Sequence, residues 1–88
     1  MNKSSIPPKD PLQAFGHRLA ELRKEQGISQ EQLAYMSGVA RSYVSGVERG
    51  QRNISLINIT RLAEALRLPS SKLLEQAPGL GSYVKSEK

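Results

Sequence analysis

The 88-residue sequence contains no cysteine and no tryptophan, a single phenylalanine and a single histidine. Without thiols neither a disulfide nor a thiolate metal site can staple the fold, so stability must come from packing or association, which suits a reducing cytoplasm. His17 has no second histidine or cysteine with which to form a ligand set or a nucleophile and base pair, and no glycine-rich phosphate loop is present. Any catalytic groups would have to be carboxylates, but Glu21 and Glu25, spaced i and i+4 beside Arg18 and Lys24, read as a solvated helix face. An enzyme is therefore not expected, and neither a cofactor nor a metal. No apolar run approaches the roughly 18 residues of a membrane span, and the first ten residues lack the apolar core of a signal peptide. The expectation is a soluble cytoplasmic protein with no membrane partner.

What the chain does have is positive charge: 13 Lys and Arg against eight Asp and Glu, a formal charge of +5. That excess attracts phosphate polymers or anionic lipid. Between Gly38 and Arg61, Arg41, Arg49, Arg52 and Arg61 stand against Glu48 alone, so much of the excess is concentrated in one stretch. A membrane-surface helix would need an exposed bulky apolar face, and RNA recognition would need more stacking aromatics than one Phe and three Tyr.

A chain of this length supports one core. Residues 1–9, polar and carrying Pro7 and Pro8, read as a flexible arm, residues 10–77 as one helical domain and residues 78–88 as a polar tail. Asp10 can cap a first helix that begins at Pro11 and carries Leu12, Phe15, Leu19 and Leu22 on one stripe until Gly27. Ser29 to Gln32 has the form of a capping box and starts a second helix to about Ser37, and Gly38 supplies the turn. A third helix is expected from about Arg41 to Arg49, stopped by Gly50, with Val44 and Val47 inward. Ser55 caps a fourth, with Ile59, Leu62, Ala63 and Leu66 buried, until Pro69 interrupts it. A short fifth, capped by Ser70, holds Leu73 and Leu74.

Laid out this way, residues 15–74 resemble the lambda-repressor-like (XRE) helix-turn-helix family, an all-α, five-helix DNA-binding fold. The resemblance rests on Leu22-Arg23, the run Gly27 to Ala34, the turn Gly38-Val39, Tyr43-Val44-Ser45, Val47 to Gly50, and Ile59 to Leu68. Within the family, Arg41 to Asn53 looks most like the controller proteins of restriction-modification systems, small dimers that regulate their own promoter and the endonuclease gene. Phage-type repressors, and antitoxin-like interaction modules that keep the fold without reading DNA, are the alternatives.

A major groove about 12 Å wide accepts one helix, and in this motif the second helix enters while the first crosses the backbone. On a helical wheel Val44, Val47 and Glu48 cluster, while Ser42, Gly46 and Arg49 lie opposite, flanked by Tyr43 and Ser45. Arg41, at the leading end, is the first candidate for bidentate readout of a guanine, followed by Ser42 and Tyr43. The resemblance implies that Gln30 lies against a phosphate, positioning rather than specifying. Arg52 and Asn53, just beyond the helix, are expected on phosphate or in a groove. Gly46 costs about 1 kcal/mol of helix propensity relative to Ala, so something should compensate. It either allows close approach of DNA or meets a packing need. The resemblance also pairs Glu48 with Arg23 as a structural ion pair.

Ile57, Leu68, one of Leu73 and Leu74, and also Leu80 and Tyr83 have no obvious burial in so small a core. Unused apolar surface near one end suggests an interface, and the resemblance points the same way, to a homodimer through the fifth helix. The expected partners are thus a double-stranded DNA operator, a second copy of the chain and RNA polymerase, which a bound dimer would block or recruit.

Overall fold

A computed structural model describes residues 10–75, which form five helices, so the expected arm at residues 1–9 and the tail at 78–88, with Leu80 and Tyr83, lie outside the described residues. The first described helix starts where local chemistry says it should. The Asp10 carboxylate accepts from the Leu12 N–H at 3.0 Å and Pro11 presets the first turn of α1 (Pro11–Glu25). Ser29 and Gln32 cap α2 (Gln30–Ser37) reciprocally, the Gln32 N–H donating to Ser29 Oγ at 3.0 Å and the Ser29 N–H to Gln32 Oε1 at 2.8 Å. Gly38, at φ +78°, ends it in a left-handed conformation that only glycine adopts without strain. α3 (Arg41–Glu48) follows, one residue shorter than expected, with Arg49 as its cap. Ser55 Oγ accepts from the Asn58 N–H at 3.1 Å to open α4 (Leu56–Leu66). α5 (Ser70–Leu73) departs from expectation at its start: Pro69 is the cap residue, Ser70 is already helical, and no side chain bonds the first turn.

Leu19 of α1, Leu33 of α2, Val44 and Val47 of α3, Leu62 and Leu66 of α4 and Leu73 of α5 are fully buried in one core. Each such side chain contributes about 1.5–3 kcal/mol relative to exposure. Ile59, expected inside, packs against this core but is only half-buried, as are Ile28 and Val39.

Two contacts that the apolar pattern does not announce fix the helices to each other. At Gly16 a Cβ would lie 2.7 Å from the Glu48 carbonyl oxygen and closer still to that of Val47, so α1 and α3 touch backbone to backbone there. Arg18 ties α5 to α1: its Nε donates to the Lys72 carbonyl at 3.0 Å, and its guanidinium reaches Glu75 at 2.9 Å and Glu21 at 3.0 Å. Among the described residues no helix is long and apolar enough to cross a membrane.

Candidate nucleic-acid interface

α2 leads through the Gly38 turn directly into α3, and α3 has two unlike faces. Its inner face carries Val44 and Val47 into the core and ends in Glu48, whose side chain is 7% exposed. A buried carboxylate is costly unless every acceptor site finds a donor. Arg23, 10% exposed, supplies two, Nε to Oε2 at 2.7 Å and a terminal nitrogen to Oε1 at 3.0 Å. Its other terminal nitrogen donates to the Ile28 carbonyl at 2.8 Å, and Gln30 Nε2 donates to Glu48 Oε1 at 2.9 Å. The Glu48 hydrogen bond and charge raise the Arg23 pKa above its ordinary value, against the opposing effect of burial. Three elements are locked at one point: the end of α1, the start of α2 and the end of α3.

The outer face is exposed at Arg41, Ser42 and Arg49, with Ser45 half-buried. Arg41 opens α3, whose cap residue Ala40 offers no side-chain oxygen, so no side chain covers the N–H groups of that first turn. Arg49 donates to Ser45 Oγ and, at 3.2 and 3.3 Å, to Gln51 Oε1. These bonds lie at the exposed surface and are exchangeable with other acceptors. Asn53 is exposed in the loop that follows.

Gly46 lies on the outer side of α3, where the wheel places it, yet it is covered. It is buried, because Arg52 folds back across it: a Cβ at Gly46 would meet Arg52 Cγ at 2.9 Å and Nε at 3.3 Å. The compensation for a mid-helix glycine is therefore room for a side chain six positions on. Arg52 then reaches Tyr43, its guanidinium carbon 5.5 Å from the ring centroid. Tyr43 is half-buried against the core with its hydroxyl bonded at 3.0 Å by Asn58 Nδ2 of α4. Asn58 had no signal in the sequence, since a polar residue in the first turn of a helix reads as solvated.

At the other end, burial separates Leu73 from Leu74, and of the two only Leu74 is left free to face a partner. Leu73 is 0% exposed in the core and Leu74 is 49% exposed. Ile57 is 67% exposed and the adjoining Leu56, a residue with no expected role, 74%; Leu68 is half-buried against the core.

The profile of the HTH_3 family, helix-turn-helix, matches residues 19–73. The chain belongs to that family. This HTH_3 domain is 60% identical to the restriction-modification controller protein C.AhdI from Aeromonas hydrophila, whose crystal structure it matches over 70% of its own length and 94% of that chain with a TM-score of 0.70. Against the crystal structure of the hypothetical transcription factor NHTF from Neisseria, the TM-score is 0.77 at 35% identity, covering 89% of this chain and 91% of that one. The control protein C.BamHI of Bacillus amyloliquefaciens is 39% identical over 62 residues, 69% of this chain and 76% of that protein. The five-helix, lambda-repressor-like architecture read from the sequence is thereby shown.

Proposed function

We propose that this protein is a sequence-specific double-stranded DNA-binding regulator, not an enzyme, that acts as a homodimer on a palindromic operator as the controller of a restriction-modification system. The observation that carries the reading is the division of α3 in an HTH_3 domain: an inner face fixed through Arg23 and Glu48, and an outer face presenting Arg41, Ser42, Tyr43, Ser45, Arg49 and Arg52. A rigid, cationic helix with polar tips is what a major groove accepts. Arg41 would read a base edge and Ser42 and Tyr43 its neighbours. Gln30 would hold a phosphate with the second hydrogen of its amide, the first being committed to Glu48. Asn53 would meet the backbone beyond the helix.

The controller assignment is supported by the names borne by several relatives, C.AhdI and C.BamHI among them. Dimerisation is supported by apolar side chains left uncovered on α4 and after α5, Leu56, Ile57 and Leu74. A two-fold dimer would set its recognition helices about 34–36 Å apart, one helical turn, and so read a palindrome. Bound there, it would block RNA polymerase or help recruit it.

Sequencing the duplexes that the pure protein selects from a random pool tests the whole reading. The expected product is a two-fold symmetric motif with half-sites one turn apart. Enrichment of a single half-site would remove the dimer, and no enrichment would favour a protein-interaction module. In parallel, Leu74→Glu should give a folded monomer by light scattering and circular dichroism, whereas Leu73→Glu should unfold the chain.

A further inference from the structure

We infer that Asn58 of α4 is a positioning residue for base readout, holding the Tyr43 ring as the seat on which Arg52, admitted by Gly46, is stored in its reading pose. This rests on the DNA-binding reading above and goes beyond it, since Asn58 belongs to α4 and acts through Tyr43 rather than on DNA itself.

The inference follows from a chain of contacts that runs from Ser55 through Asn58 and Tyr43 to Arg52 and Gly46. Asn58 Nδ2 lies 3.0 Å from Tyr43 Oη, across fifteen positions of sequence, in a partly buried setting where the bond is little contested by water. The backbone of Asn58 is itself fixed, its N–H donating to Ser55 Oγ at 3.1 Å, so its side chain starts from a held position. Tyr43 in turn carries the Arg52 guanidinium over its ring at 5.5 Å, and the Arg52 stem occupies the space where any Gly46 side chain would stand. An exposed arginine otherwise samples many rotamers and loses about 2 kcal/mol of side-chain entropy when a complex immobilises it. Storing it on a fixed ring removes part of that loss before DNA arrives, which is preorganisation. Asn58 thereby links the start of α4, beside the exposed Leu56 and Ile57, to the reading face of α3.

Two substitutions remove the same hydrogen bond from opposite ends. Tyr43→Phe keeps the ring and loses the hydroxyl; Asn58→Leu keeps the volume and loses the donor. Each should lower the ratio of specific to random-duplex affinity by about three- to tenfold, the range for one hydrogen bond, with the salt dependence unchanged. The double variant should be no worse than either single one. Gly46→Ala, which displaces Arg52, should relax preference at the same base positions as Arg52→Ala. Thermal unfolding separates readout from folding, and should Asn58→Leu fail to fold, Tyr43→Phe carries the test. If the wild-type protein selects a motif while Tyr43→Phe leaves its specificity ratio unchanged, or if the two losses add in full, Asn58 has no positioning role. If the wild-type protein selects no motif, it is the DNA-binding reading that fails.

Discussion

The two faces of α3 differ less in composition than in how completely their polar groups are answered. On the inner face Glu48 is met by Arg23 and Gln30, which hold α1 and α2 to α3, and Arg23 in turn satisfies the Ile28 carbonyl of the α1–α2 loop. On the outer face Arg49 leans on Ser45 and Gln51, and Arg52 on a ring, contacts that any stronger acceptor can replace. A phosphate or a guanine edge is such an acceptor. The inner face sets the pose and the outer face remains available, which means that stability and recognition should respond to different substitutions.

The largest effect is expected where the inner face is broken. Glu48→Ala leaves the Arg23 guanidinium buried without its partner, which costs about 3–5 kcal/mol, a large share of a small domain's stability. Chemical denaturation should show it as a lower midpoint at constant slope. Because the Arg23 pKa is raised, its stabilising charge is fully present below the ordinary arginine value and is lost only as pH climbs through the raised one. Arg23 therefore adds no pH dependence near neutrality. Gly16→Ala attacks the same seam sterically, forcing two carbonyls of α3 away from α1, and should cost about 1–3 kcal/mol. Full stability in either variant would show that the inner face does not set the pose of α3.

Arg41→Ala tests the other face. It should leave the unfolding midpoint nearly unchanged, since the side chain is exposed, and weaken specific binding by about 1–3 kcal/mol with relaxed preference at one base position. An equal loss on specific and random duplexes would reassign Arg41 to phosphate.

How much of this was legible in the sequence follows from range. Caps and stops are local, so Asp10, Ser29, Gly38 and Ser55 mark their helix ends within a residue or two. The fate of Leu73 against Leu74 was not, because a four-residue helix is too short to show a period and only the packing of α5 on the core separates them. Gly46 was only half legible for a related reason: the wheel places it outward and a packing need was one of two readings, but what covers it is Arg52, from outside the helix. Gly16 and Asn58 carried no signal, since close approach and a cross-helix hydrogen bond are properties of two elements and not of either alone.

The smallest effect, and the one that joins the two faces, belongs to Gln30. Its amide nitrogen carries two hydrogens, of which one is held by Glu48 at 2.9 Å and the other is left for an acceptor outside the protein. Gln30→Ala removes both, while slightly favouring helix at the first position of α2. The loss of stability should be about 1 kcal/mol, because Arg23 still answers Glu48. Binding should weaken by a similar amount on every sequence alike, since a phosphate contact carries no base information. The measurement is paired: thermal unfolding of the protein alone, and affinity for a selected and a scrambled duplex at one salt concentration. A preference lost at one base would make Gln30 a reader. Unchanged affinity with the stability loss intact would confine it to the inner face, and the division of α3 would then extend to α2.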